Sequence, residues 1–555
     1  MQQPVTNTPS RSLRLLLGTL LAALLLLRSP GSLLHPQFWA GDGTLFFQEA
    51  FNQGFLKTIL QPASGYLHSF PRLVAGLSLL FPMGQAPLVF NLAAFTVQLL
   101  PALYLLSPRM SRLIPSFPAQ AAAALLYVAL PASSETHVNI TNSHWHLALT
   151  AVCILVAAPA TTARGRALEL IVTGLFSVTG PFSILFLPLV APRLLDLLKG
   201  ARPARGRSVA VVIAAGAFIQ LGFASASARL TTAAAQSGPL SLRELTTVVS
   251  MHTFFNAIFG SNGFTRFYRM LPSIAYALGL GVLGFLLFVA IRDRVKPLLI
   301  LFYLAALSIA LSFMFPLNDL RIWLHPLAGP RYFLFACVFI HFTILHLAFA
   351  ARSFRSVGRV LLTAAVAIGV PADFFHPGQP DVHWADHAAV FRSLPAGSEF
   401  SVPVVPLYHG AMVLRKTSPR RDPPPLSRLR AIPSPTPASF SISRPERVGL
   451  AGVSNDSYLS VGGWAIDGAA RAPAGGVFVI IDDKLFPAAY GLPTDASVDG
   501  LSYPDCGFSR LIPIAEVGPG SHRVSIAVIT RDGTGSYQPA APRAFETGQF
   551  FPGRN

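Results

Sequence analysis

The chain has 555 residues, is 52% hydrophobic and only 12% charged, and has a positive mean hydropathy. A soluble protein of this length cannot hide so much apolar surface, so a bilayer has to cover most of it. The formal net charge of +18 falls in short clusters between apolar runs, with no basic stripe and no aromatic-interleaved patch, which argues against nucleic acid as a partner.

Apolar runs of helical length fill the chain to about Val370. The first, Leu13 to Leu27, follows Arg11 and Arg14, has no small-x-small cleavage site before His35, and reads as an uncleaved span. Further spans are expected near 87–106, 118–133, 145–160, 167–179, 180–195, 208–224, 271–291, 297–316, 330–350 and 357–371, about 11 in all. The pair meeting at Gly180-Pro181 is short for a crossing and reads as half-helices packed against neighbours. Arg109/Arg112, Arg164/Arg166, Arg193 to Arg207, Arg292/Arg294/Lys296 and Arg352/Arg355/Arg359 occupy alternate loops on the side of Arg11 and Arg14, which the positive-inside rule makes the cytoplasm. An odd number of spans puts the C-terminus outside. Cys153, Cys337 and Cys506 form no obvious disulfide or metal pair.

The first outside loop, 28–86, is long for a connection and is expected to be functional. In it Trp39-Ala40-Gly41-Asp42-Gly43 precedes Phe46, Phe47, Ala50, Phe51 and Phe55, which alternate with Gln48, Glu49, Asn52 and Gln53 as an amphipathic helix suited to the membrane interface. Asp42 would stand where headgroups meet water. Tyr66, His68 and Arg72 lead into a second interfacial helix ending near Pro82. Other outside loops bring Glu135, His137, Asn139, His144, Trp145 and His146, then Asp319, Arg321, His325, Arg331 and Tyr332. A transferase using a polyprenyl-phosphate sugar needs a carboxylate to act on the acceptor hydroxyl and cations for the departing phosphate. Asp42 suits the first role; Arg72, Arg321 and Arg331 suit the second, since a guanidinium binds phosphate oxygens bidentately. Tyr66, His68, Glu49, His144, Asp319 and Tyr332 are the remaining candidates for substrate contact. Asn139-Ile140-Thr141 also matches a glycosylation sequon.

With many spans, an acidic residue in a long first outside loop and a soluble tail, residues 1–371 resemble the C-type (GT-C) glycosyltransferase superfamily, locally through Trp39-Ala40-Gly41-Asp42-Gly43 and the Phe-rich helix. The resemblance implies a polyprenyl-phosphate donor, an inverting displacement and a catalytic role for Asp42. Members commonly carry two adjacent acids here, whereas Gly41 precedes Asp42, so the part of a divalent cation stays open.

The stretch 372–440 reads as a juxtamembrane segment and a Pro- and Arg-rich linker. From Ser441 to the end, short strands at Tyr458 to Ile466, Gly476 to Ile481, Phe508 to Ile514 and Arg523 to Thr530 suggest an all-β sandwich, in which Trp464 and Tyr490 either stack on sugar or anchor the core. The expectation is therefore a polytopic α-helical domain followed by a β-sandwich, acting as a glycosyltransferase of a bacterial cytoplasmic membrane on lipid-linked sugar and an envelope glycan or lipid acceptor. The alternatives are a transporter or flippase of lipid-linked glycans and a non-catalytic envelope-polysaccharide scaffold.

Overall fold

The computed structural model describes residues 9–199, 206–226, 240–314, 320–376, 380–393, 399–406, 411–416, 426–443, 458–513 without 493 and 495, 517–518 and 520–547. Two compact units emerge: Met1–Pro36, Lys57–Ser78 and Pro87–Gln379 make the first, and Gln37–Leu56, Leu79–Ala86 and Pro380–Asn555 the second.

The first unit is helical, and every apolar run expected to span forms a helix. Among the described residues, six helices have the length and apolarity to cross a membrane: Met83–Leu105, Arg207–Ser225, Ser273–Arg292, Lys296–Phe313, Pro330–Phe349 and Arg355–Asp373. Phe117–Val128 and Ser143–Val156 are apolar but shorter. Ser143–Val156 is buried over most of its length, as is Leu334–Phe349. A helix that is apolar all round is stable when neighbours cover it, and protein rather than lipid surrounds these two. At Gly180 the backbone takes φ +75°, which ends one helix (Ala163–Ser177) and starts the next (Phe182–Leu198) where the break was expected. Gly216 lies against Ser177 so closely that a Cβ would stand 2.3 Å from the Ser177 Cβ, the small-residue contact that lets membrane helices approach without a solvent-driven force.

Two polar knots close this unit. Arg28, 1% exposed, donates to the carbonyls of Val128 (2.6 Å), Leu130 (3.0 Å), Asp373 (3.3 Å) and Phe374 (3.2 Å). The Asp373 carboxylate accepts the backbone N–H groups of Ala132 (2.7 Å), Ser261 (2.7 Å) and Asn262 (2.9 Å). A helical stretch absent from the sequence reading runs over 242–259. Ser241 and Glu244 cap it reciprocally, a π-helical turn at Met251–Phe255 interrupts it, and Gly260 at φ +75° ends it.

In the second unit, β1 (Glu399–Pro403) and β2 (Ala411–Arg415) form an antiparallel pair. The 40–53 helical stretch packs here, and its phenylalanine face is covered by protein: Phe38 stacks on Phe47 at 4.6 Å, Trp384 meets Phe47 edge-on at 5.8 Å, and Phe51 meets Phe391 at 5.6 Å. The expected interfacial helix is thus a protein-buried one. Its polar face serves the edge of β2. Gln48 Oε1 accepts the Val413 N–H at 2.6 Å, Asn52 Nδ2 donates to the Val413 carbonyl at 2.7 Å, and Asn52 Oδ1 accepts the Arg415 N–H at 2.8 Å. Side chains one helical turn apart replace a neighbouring strand. Gly43 allows this packing, because a Cβ there would come within 2.6 Å of Val404.

Eight further strands follow one hydrogen-bonded path: β3 (Arg430–Ile432), β13 (Gly535–Tyr537), β12 (Gly520–Ile529), β7 (Gly476–Ile481), β8 (Lys484–Leu492), β11 (Gly507–Pro513), β5 (Tyr458–Asp467) and β4 (Ala438–Ser443); off it, β6 (Ala472–Pro473) pairs with β5, β14 (Arg543–Thr547) with β12, and β9 (Ala496–Val498) with β10 (Leu501–Tyr503). Val524, Ile526 and Val528 alternate into a core shared with Val477, Val479, Ile481, Phe440, Val461, Phe508 and Ile512, so both halves of the path cover one apolar centre. The stretch read as a linker already contributes β3, which pairs in parallel with β13. Ile514, the expected end of a strand, lies outside the described residues.

Candidate functional site

The loop bearing Tyr66, His68 and Arg72 belongs to the helical unit. Ser64 and Gly65, at φ +52° and +87°, make a tight turn in which Ala63 and Tyr66 exchange backbone hydrogen bonds of 2.9 and 3.1 Å. The chain after it is clamped against the Gly180 break: Gly180 N–H donates to Leu67 O (2.8 Å), Ser69 N–H to Val178 O (3.1 Å), and the Gln220 amide bonds both backbone groups of Leu67 (2.9 and 3.0 Å). Gly180 also leaves room for a ring, since a Cβ there would stand 3.1 Å from His144. His68 and His144 meet edge to face at 5.8 Å. Burial, then the Arg72 charge, lowers the His68 pKa from 6.5 to about 4, so its imidazole is neutral at pH 7. Arg72 is 1% exposed and donates to Gln61 O at 2.8 Å, a placement inside its own loop that is incompatible with snorkelling to headgroups.

The 131–144 segment is shaped by its own amides. Asn139 Nδ2 and Asn142 Nδ2 each donate to Glu135 O at 2.8 Å, and Asn142 N–H returns to Asn139 Oδ1 at 3.0 Å. This turns the Glu135 carboxylate toward Arg331: it accepts the Arg331 backbone N–H at 3.1 Å and forms an ion pair with the guanidinium. Asn139 is 1% exposed, so the sequon is built into the fold and does not present a glycan acceptor. Arg331 lies over the ring of Tyr332 at 4.6 Å and donates to its hydroxyl at 3.0 Å. From there the rings continue, Tyr332 to Trp145 at 6.2 Å and Trp145 to His144 at 5.6 Å. Glu135, Arg331, Tyr332, Trp145, His144 and His68 therefore form one contiguous series. All but Trp145 are half-buried.

Not every candidate joins it. His146 is spent inside the fold, between the Tyr127 hydroxyl and the Thr136 carbonyl, both at 2.8 Å. Arg321, its side chain 59% exposed, lies 3.8 Å from Glu244 in a solvent-facing pair of small energetic weight. Asp319 is outside the described residues. Asp42 and Glu49 belong to the second unit. Asp42 is 0% exposed, opening the π-helical turn Asp42–Phe47; Glu49 is half-buried. Tyr490 is a core anchor: its hydroxyl donates to Ala465 O at 2.6 Å and accepts the Ala474 N–H at 2.7 Å. Trp464 packs, half-buried, beside Ile466, Tyr503 and Cys506.

The sequence reading named Glu135 but did not pair it with Arg331. The two lie 196 residues apart, and no local signal links them. Chemically the series offers a guanidinium, a carboxylate, two imidazoles and two ring faces. That set can hold a phosphate and stack a sugar. Among the described residues, no three His, Cys, Asp or Glu side chains converge as around a metal ion. No protein-family model matches the chain, and comparison with curated proteins finds no match.

Proposed function

We propose that the chain is a GT-C-like membrane glycosyltransferase of about 11 spans, resident in a bacterial cytoplasmic membrane. It moves a sugar from a polyprenyl-phosphate donor to an envelope glycan or lipid acceptor at the face away from the basic loops. The observation that carries this reading is the Arg331–Glu135 pair packed on the Tyr332 ring, with Trp145, His144 and His68 in succession.

In the reaction the acceptor hydroxyl oxygen attacks the anomeric carbon from the side opposite the phosphate. The bond from that carbon to the phosphate oxygen breaks, the lipid phosphate leaves with the electron pair, and a carboxylate takes the hydroxyl proton, so the product is inverted. Asp42 is the proposed base, on the strength of the resemblance. Within the helical unit, Arg331 can hold an anion, because Glu135 and the Tyr332 hydroxyl engage two of the five N–H donors of its guanidinium.

Purified protein and its Asp42→Asn and Arg331→Ala variants are to be compared for transfer of labelled sugar from a panel of polyprenyl-phosphate sugars to envelope glycan extract. Wild type should transfer, and Asp42→Asn, folded to the same extent, should lose about 10²–10⁴-fold in rate. Unchanged transfer by that variant would remove Asp42 from the chemistry. The second reading, a flippase of lipid-linked glycans, has its own support in the polar groups His252, Asn256 and His341 buried among the helices. It takes over if wild type transfers nothing yet moves labelled lipid-linked sugar across a vesicle bilayer.

A further inference from the structure

At the other end of the helix Ser143–Val156 from His144, the structure holds a cavity of about 390 Å³. It lies at the C-terminal end of Ser143–Val156, beside the second half of Phe182–Leu198 and the start of Lys296–Met314. Its walls are apolar, with Leu113, Val156, Leu189 and Ile300 prominent, and two cations line it, Arg193 and Lys296. Arg193 is held there by a 2.9 Å bond from Nη2 to Leu155 O, and Lys296 is exposed. The neighbouring cation Arg109 is otherwise engaged, by Ala158 O at 2.6 Å and by an ion pair with Glu169. Along Ser143–Val156 the cavity stands ~18 Å from His144, so it is separate from the candidate site.

We infer that this cavity binds an anionic phospholipid, with Arg193 and Lys296 on its phosphate and the apolar wall against its acyl chains. Three features select that class. Two cations without a carboxylate in the lining favour an anion. An apolar wall rewards a ligand with hydrocarbon beside its charge, which a free phosphate lacks. The cavity also opens among helix ends whose loops carry the basic clusters of the cytoplasmic side, and basic pockets between membrane helices on that side suit anionic headgroups. The volume lies in the range of about 300–1,000 Å³ usual for small-ligand sites. It holds a headgroup and the first methylenes, leaving the rest of the chains along the helices. This inference is independent of the proposed transferase activity.

The test is native mass spectrometry of the full chain, delipidated in detergent and titrated with phosphatidylglycerol, phosphatidylcholine or inorganic phosphate. Phosphatidylglycerol should bind and phosphatidylcholine should not compete. Lys296→Gln, at an exposed position that leaves the fold intact, should weaken binding about fivefold, and Arg193→Gln with Lys296→Gln about 25-fold. Leu189→Trp keeps both cations but fills the cavity, and should also abolish retention. Equal binding of phosphatidylcholine, wild-type affinity in Lys296→Gln, or unchanged retention in Leu189→Trp would each overturn the proposal. So would displacement of phosphatidylglycerol by inorganic phosphate at equal concentration, which would make the free anion the ligand.

Discussion

Single polar residues set much of the helical unit. Asp373 accepts three backbone N–H groups from two loops, and an amide in its place offers one oxygen and turns an NH₂ toward donors. Asp373→Asn should therefore cost about 2–3 kcal/mol, read as a lower midpoint of thermal unfolding in detergent; an unchanged midpoint would mean that the N–H groups find other acceptors. His68 supplies a pH dependence. Its folded pKa of about 4 lies below the ordinary 6.5, so between those values the unfolded chain binds the proton that the folded chain refuses. Stability from this group is complete above pH 6.5 and is lost as pH falls from 6.5 toward 4. Replacing His68 by Gln should flatten the midpoint-against-pH curve in that window, and a curve of undiminished slope would assign the effect to other buried histidines.

At the scale of elements, an amphipathic pattern identifies a helix and its faces, not what covers them. The 40–53 stretch carries the phenylalanine face expected of an interfacial helix, yet Trp384 and Phe391 bury it, because protein rings satisfy an apolar face as well as lipid does. Its polar residues bond the β2 edge, so Asn52→Ala should speed hydrogen exchange at the Arg415 amide while leaving the Val413 amide, held by Gln48, protected. Equal acceleration at both would mean that the whole helix has detached. The 242–259 helical stretch could have been found from Ser241-x-x-Glu244, a reciprocal cap signature. Short apolar content hid it, since its first turns are largely polar.

For the whole molecule, the positive-inside reading makes a prediction about sides. In a cysteine-free background, single cysteines at Arg112, Arg166 and Arg294, all exposed, should react with an impermeant thiol reagent only from the cytoplasmic face. A cysteine at the exposed Ser134 should react only from outside. Mixed labelling of the first three would break the topology. Residues 134 and 294 lie in loops whose basic content differs sharply, and that asymmetry was legible without coordinates.

Sequence alone determined that this chain is largely apolar and helical to about residue 370 and strand-rich beyond it. Runs of apolar residues and strict alternation are local patterns, and helix and strand are local structures with matching periods. The Gly180-Pro181 break was legible for the same reason. Only the tertiary structure decided that Glu135 meets Arg331, that Asp42 and the phenylalanine face are buried, that Asn139 is an internal clamp, and that Arg193 and Lys296 share one cavity. Each of these joins positions far apart in the chain, or depends on which neighbour covers a surface. Such pairings arise from the packing of whole elements, and no period within one segment records them.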